Sequence, residues 1–153
     1  MIELKELKSD QACEMAALYT QCFEDSWETS FFKDKLEESC FATGAFLKND
    51  LVGFIFVQLV EDEAEILTFC VDKKNRKQGV GEALLQDILK QSKIMSCFLE
   101  VHSQNKVAIS LYERLGFVKR GFRKGYYQGE HQKSQNISQD AIIYGYSKKM
   151  VYL

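Results

Sequence analysis

Residues 2–7 alternate apolar and charged side chains, a period-two pattern that suits a half-buried strand. Ser9 or Asp10 is then the candidate cap of a helix whose apolar positions are Ala12, Met15, Ala16, Tyr19, Cys22 and Phe23. A second, shorter helix is expected over 29–38, burying Phe31, Phe32 and Leu36 behind an anchoring Trp27. Two runs rich in β-branched and aromatic residues, 41–47 and 51–60, flank the polar tripeptide Lys48-Asn49-Asp50 and read as a hairpin. A third antiparallel strand over 64–71 follows the acidic turn Glu61-Asp62-Glu63. The period then changes to 3.6, with Ala83, Leu84, Asp87, Ile88 and Lys90-Gln91 laying one stripe along a helix over 81–92. After it come a short apolar strand, 97–102, and a helix capped by Asn105 that stops at Gly116, a residue suited to a left-handed terminus. Two closing strands, 117–127 and 141–150, are joined by the polar segment 128–140; a connection that long in a small domain is more often functional or mobile than idle. The predicted order is βααβββαβαββ.

The chain's 153 residues, 46% hydrophobic and 27% charged, match one compact domain spanning 1–153. No stretch approaches the roughly 20 apolar residues of a membrane span, and the N-terminus has no signal-peptide core, so a cytoplasmic protein that works away from membranes is expected. The five cysteines, Cys13, Cys22, Cys40, Cys70 and Cys97, are odd in number and irregular in spacing; with no C-x-x-C pair they read as reduced core thiols, with no metal site. Asn136-Ile137-Ser138 matches the glycosylation acceptor pattern, but nothing else suggests a secretory route. Residues 1–65 hold 5 Lys and Arg against 15 Asp and Glu, whereas 66–153 hold 15 against 7. One half thus suits a polyanionic ligand and the other a cationic one. Direct nucleic-acid binding is disfavoured, because the basic residues are spread over several elements and the net charge is −2.

The stretch Ile66-Leu-Thr-Phe-Cys-Val-Asp72, followed by Arg76-Lys-Gln-Gly-Val-Gly81 and a helix, carries the most chemical information. A strand that feeds a short glycine-bearing loop at a helix start presents backbone N–H groups at the positive end of the helix dipole, which binds phosphate. Gly79 and Gly81 allow close approach of an anion, and Arg76 and Lys77 add charge at the rim. Two other phosphate loops are excluded. Gly81 is followed by Glu82-Ala83 where a P-loop needs Lys-Ser/Thr, and Leu84 occupies the third glycine position of the dinucleotide fingerprint.

Arg76-Lys-Gln-Gly-Val-Gly81 resembles the R/Q-x-x-G-x-G/A pyrophosphate loop of the GNAT N-acetyltransferases, and the element order is similar to that fold along the whole chain. Leu99–Asn105, Ala108–Phe117, Gly125-Tyr-Tyr127 and Asp140–Ile143 further resemble segments of the RimI-type alanine N-acetyltransferases, which modify a small-subunit ribosomal protein. The resemblance implies an α/β (α+β) acyl-CoA N-acyltransferase fold, a central mixed sheet of about seven strands with four helices. It also implies acetyl-CoA as cosubstrate and a protein N-terminus as acceptor, and a monomer is favoured. By the same resemblance Phe69, Cys70 and Val71 offer main-chain groups to the pantetheine arm. Lys77, Gln78, Gly79, Val80, Gly81 and Glu82 wrap the pyrophosphate behind Arg76, and Asn105 touches the coenzyme near its thiol. Glu100 matches the family's general base and Tyr112 its general acid. In one departure, Ser26 precedes Trp27 where RimI-type chains commonly have proline.

Proton demand suits this reading, because an α-amino group of pKa about 7.7–8.0 is far easier to deprotonate than lysine at about 10.4. Cys70 and Cys97 read as structural thiols rather than acyl carriers. Period-two geometry puts His102 on the face of Glu100, which leaves it a rival base. A GNAT enzyme acting on a small amine or antibiotic, and a coenzyme-binding module without catalysis, also remain open.

Overall fold

The structure, a computed structural model, describes residues 1–124 and 140–148. Residues 1–94 pack as one compact unit and the described residues from Met95 onward as a second.

The first unit is built on an antiparallel meander of β1 (Glu3–Leu7), β2 (Cys40–Leu47), β3 (Asp50–Val60) and β4 (Glu63–Val71). The β2–β3 turn is tighter than its tripeptide suggested. Asp50 already pairs with Leu47, and the reversal is made by Lys48 and Asn49 alone, at φ of 48° and 71°. Two successive left-handed residues match the right-handed twist of the strands they join. Helices α1 (Ala12–Cys22) and α2 (Thr29–Glu38) cover the face that carries Ala42, Phe54, Phe56 and Cys70. Trp27 anchors them, its ring stacked on Tyr19 at 4.7 Å and 13°. The Tyr19 hydroxyl donates to Asp25 at 3.1 Å, and burial together with that carboxylate pushes the phenol above its ordinary range. Helix α3 (Val80–Lys90) covers the opposite face, where a Cβ on Gly53 of β3 would meet Val80 at 3.1 Å.

Several expectations need correction here. Neither Ser9 nor Asp10 caps α1: both lie in a 3-10 turn, Ser9–Gln11, and α1 begins after it with Gln11 as its cap residue. Phe23 falls beyond the helix in extended conformation and is exposed. Cys13 is exposed and Cys22 half-buried, because Ala12, Met15, Leu18 and Tyr19 form the inward stripe of α1 and position 13 points away from it. The buried stripe of α3 is Val80, Leu84, Leu85, Ile88 and Leu89, with Lys90 in water.

The second unit holds β5 (Ser96–His102), α4 (Lys106–Arg114), β6 (Val118–Arg123) and β7 (Ala141–Ser147). Strand β7 lies between β5 and β6, antiparallel to both. Asn105 caps α4 as expected, its side chain accepting from the Ala108 N–H at 3.2 Å. Gly116 at φ 101° closes it, with the Phe117 N–H donating to the Tyr112 carbonyl and the Gly116 N–H to that of Glu113. That bond pair is a Schellman terminus. Gly125-Tyr-Tyr127, the segment 128–139 with Asn136-Ile137-Ser138, and the predicted strand end at 149–150 lie outside the described residues. Among the described residues no helix is long and apolar enough to cross a membrane.

Candidate active site

In the first unit, β4 runs directly into the candidate anion loop. Asp72 caps a single turn, Lys73–Asn75, by accepting from the Lys74 N–H at 3.1 Å. The exposed chain then passes through Lys77 at φ 63° and Gly79 at φ 83°, where Gly79 is the N-cap of α3. A glycine cap has no side chain to accept from the amides of the first turn, in contrast to Asn105 on α4. A Cβ placed on Gly79 would meet nothing within 4 Å, so the space above the loop is open. Left-handed backbone, a helix N-terminus and the neighbouring cations Lys73, Lys74 and Lys77 together make a seat whose chemistry fits a diphosphate. Val80, Gly81 and Glu82 form the first turn of α3. Arg76 turns back toward the strand, its Nε donating to the Val71 carbonyl at 3.1 Å.

The strand ahead of the loop carries a β-bulge. Phe56 pairs with Thr68 and Val57 with Ile66, so Leu67 is an extra residue on β4. Ile66 lies opposite Val57, whereas Cys70 lies opposite Phe54 in the core beneath α1 and α2. The bulge therefore reverses which face the alternate positions present, turning Cys70 toward α1 and leaving Phe69 and Val71 half-buried on the α3 side. Burial and the neighbouring Cys22 push the Cys70 thiol far above its ordinary range.

In the second unit, Glu100 and Tyr112 occupy opposite faces of the β5–β7–β6 sheet. Leu99 pairs with Tyr144, whose ring faces Tyr112 at 6.4 Å and whose hydroxyl donates to Glu113 of α4 at 3.0 Å, so that face belongs to the helix. Burial and Glu113 raise the Tyr144 phenol. Glu100, one position on, faces the other side with Gly121, Arg123, Ala141 and Ile143. There its Oε1 lies 3.3 Å from Arg123 Nη2. His102 shares this face, but its Nδ1 accepts from the Gln104 N–H at 3.0 Å. On a neutral ring that bond occupies the Nδ1 lone pair. Tyr112 is buried against Phe117 and Tyr144, two turns along α4 from Asn105. The first unit thus collects positions 69–82 and the second collects Glu100, Asn105 and Tyr112. Sequence reading missed Arg123, since one chain carries no local signal for an ion pair that reaches across the intervening strand β7.

The family model described as Acetyltransferase (GNAT) family matches residues 11–117, which run through both units. The chain belongs to this family. Among curated GNAT relatives it is 39% identical over 96 residues to the [Ribosomal protein bS18]-alanine N-acetyltransferase of Escherichia coli strain K12. That alignment covers 61% of this chain and 62% of the relative, so the chain spans about three-fifths of the length of the enzyme it matches. It is also 30% identical over 115 residues to a spermidine N(1)-acetyltransferase of Thermoplasma acidophilum, covering 67% of this chain and 71% of that one. The crystal structure of the ribosomal-protein-S18-alanine N-acetyltransferase from Escherichia coli superposes with a TM-score of 0.87 at 26% identity, covering 99% of this chain and 97% of that chain. The fold expected from the sequence, that of the acyl-CoA N-acyltransferases, therefore holds.

Proposed function

We propose that this GNAT chain is a single catalytic domain that transfers an acetyl group from acetyl-CoA to the N-terminal amine of a protein, with the N-terminal alanine of a small-subunit ribosomal protein as its acceptor. The observation that carries this reading is the seat at the start of α3, where open space above a left-handed glycine cap meets a helix N-terminus flanked by lysines. The likeness to the Escherichia coli alanine N-acetyltransferase supports the acceptor class.

When bound, acetyl-CoA supplies an activated acyl thioester. Amides from Lys77 to Glu82 hold its diphosphate with Arg76 just ahead of them, main-chain groups of Phe69, Cys70 and Val71 line its pantetheine arm, and Asn105 stands near its thiol end. Glu100 takes the proton of the acceptor ammonium through water, in a step that asks little of a carboxylate because an α-amino group titrates close to neutrality. The freed amine attacks the thioester directly, through a tetrahedral intermediate whose oxyanion a β4 amide stabilises. Tyr112 donates its phenolic proton to the leaving thiolate, and the proton that the attacking nitrogen sheds as the intermediate collapses returns through water to the phenolate. The bond that His102 Nδ1 accepts from the Gln104 N–H supports Glu100 as the base. A ribosomal-protein acceptor places the reaction in the cytoplasm, needing neither a membrane nor direct contact with nucleic acid, and a monomer suffices.

Mass spectrometry of acetyl transfer onto peptides beginning with alanine, set against spermidine and aminoglycosides with acetyl-CoA as donor, tests the reading. Acetylation of the α-amine of the peptide is expected. Turnover confined to polyamines would reject the protein acceptor and favour a small-amine enzyme.

A further inference from the structure

The Glu100 carboxylate has a cation of its own chain beside it. On the two strands that flank β7, Glu100 and Gly121 both pair with Ile143, so the β6 position level with Glu100 carries no side chain. A Cβ there would stand 3.3 Å from Ile143 Cδ1, so the isoleucine lies against the bare glycine backbone. Arg123 lies further along β6 on the same face, level with His102 across Ala141. It reaches back diagonally and brings Nη2 to 3.3 Å from Glu100 Oε1. The side chain of Glu100 is 22% exposed and that of Arg123 is 51% exposed. A tight charge-assisted bond measures roughly 2.7–2.9 Å, so this pair is a loose one that a second cation can break.

We propose that Arg123 sets the affinity of the site for its acceptor by competing with the acceptor ammonium for the Glu100 carboxylate. The proposal rests on the reading of Glu100 as the group that meets the acceptor. A protonated amine that approaches Glu100, directly or across one water, enters the space that the guanidinium holds, and two cations at one carboxylate repel each other. The guanidinium therefore swings away as the acceptor seats, and its half-exposed side chain leaves it solvated when it does. An acetylated N-terminus carries no charge and competes for nothing, so Arg123 returns to Glu100 once the product has formed. Arg123 thus weakens the hold on the charged substrate alone, and it keeps the largely covered carboxylate paired between turnovers. The size of the effect is bounded by the worth of a half-exposed ion pair, about 1.4- to 5-fold in affinity.

The experiment is calorimetric titration of the full chain, of Arg123→Gln and of Arg123→Lys with a peptide beginning with alanine, and with the same peptide acetylated at its N-terminus as the uncharged control. At low salt Arg123→Gln should bind the free-amine peptide about 1.4- to 5-fold more tightly than the parent. That gain should vanish near 1 M salt, where screening acts within about 3 Å. Arg123→Lys keeps the charge and should stay with the parent, and the acetylated peptide should bind all three proteins alike. In steady-state transfer KM for the peptide should fall by the same factor in Arg123→Gln while kcat is held. Unchanged or weaker binding of the free-amine peptide to Arg123→Gln, or an equal gain for the acetylated peptide, would overturn the proposal. A gain found in proteins that transfer no acetyl group would uphold the competition and reject Glu100 as the base. Transfer by the parent without any gain in Arg123→Gln would uphold the acetyl-CoA reading and reject the competition.

Discussion

Gly79→Ala tests the anion seat most directly. Gly79 sits at φ 83° with nothing within 4 Å of its missing Cβ, so an alanine there meets no atom and suffers only the left-handed backbone. That conformation costs about 1–2 kcal/mol for a residue with a side chain. The segment is exposed from Arg76 to Gly79, so the free protein relaxes there and avoids most of the cost. Binding of coenzyme A must then reimpose the original conformation, and the same 1–2 kcal/mol appears as a weakening of affinity by about 5- to 30-fold. Calorimetric titration with CoA should show this loss while the melting temperature moves by less than about 4 °C, the shift that 1 kcal/mol produces at this size. Gly53→Ala is the contrast. Its Cβ would stand 3.1 Å from both the Cys70 carbonyl oxygen and Val80, so that variant should lose stability first. A Gly79→Ala protein that binds CoA within twofold of the parent would refute the idea that α3 begins at a diphosphate seat.

Replacing Glu100 by Gln and Tyr112 by Phe should each lower turnover about 10²- to 10⁴-fold while acetyl-CoA affinity is retained, as titration calorimetry beside a thiol-release assay would show; unaffected turnover would remove both from the chemistry. Arg123→Gln should change kcat/KM by only about 1.4- to 5-fold, the worth of a half-exposed ion pair, and a hundredfold loss would mean that Arg123 contacts substrate. Burial pushes the Cys97 thiol up to about 12, so it is neutral in the native state at pH values where the unfolded chain has already ionised it. Its contribution is complete below pH 9 and is lost as pH rises toward 12; urea titrations across that window should show a shallower alkaline decline in Cys97→Ala, and an identical slope would assign the decline to other groups.

Much of this molecule was legible one segment at a time. Asn105 and Gly116 bracket α4 because capping is satisfied within a single turn, and α2 begins and ends where its pattern of apolar residues says. The glycine-bearing turn between an apolar strand and a helix was legible for the same reason: its backbone conformation is a property of a few adjacent residues. The misread starts and stops, such as the 3-10 turn ahead of α1 and the two-residue β2–β3 reversal, are places where neighbouring conformations differ little in energy and the packed strands choose between them.

Contacts between residues far apart in the chain were hidden. The extra residue at Leu67 leaves no mark on a period-two pattern, yet it turns Cys70 toward α1 and so brings it to Cys22. Cys22 and Val71 are 49 residues apart, and their contact exists only because α1 lies across β4. The pairing of Glu100 with Arg123 depends on the registers of two strands against β7, and a one-residue slip in either would send one partner to the other face. Local hydrogen bonding and side-chain periodicity thus specify the elements and the glycine-bearing turn ahead of α3 from adjacent residues. The environment of each reactive group comes from strand register and helix packing, which depend on the mutual fit of distant surfaces.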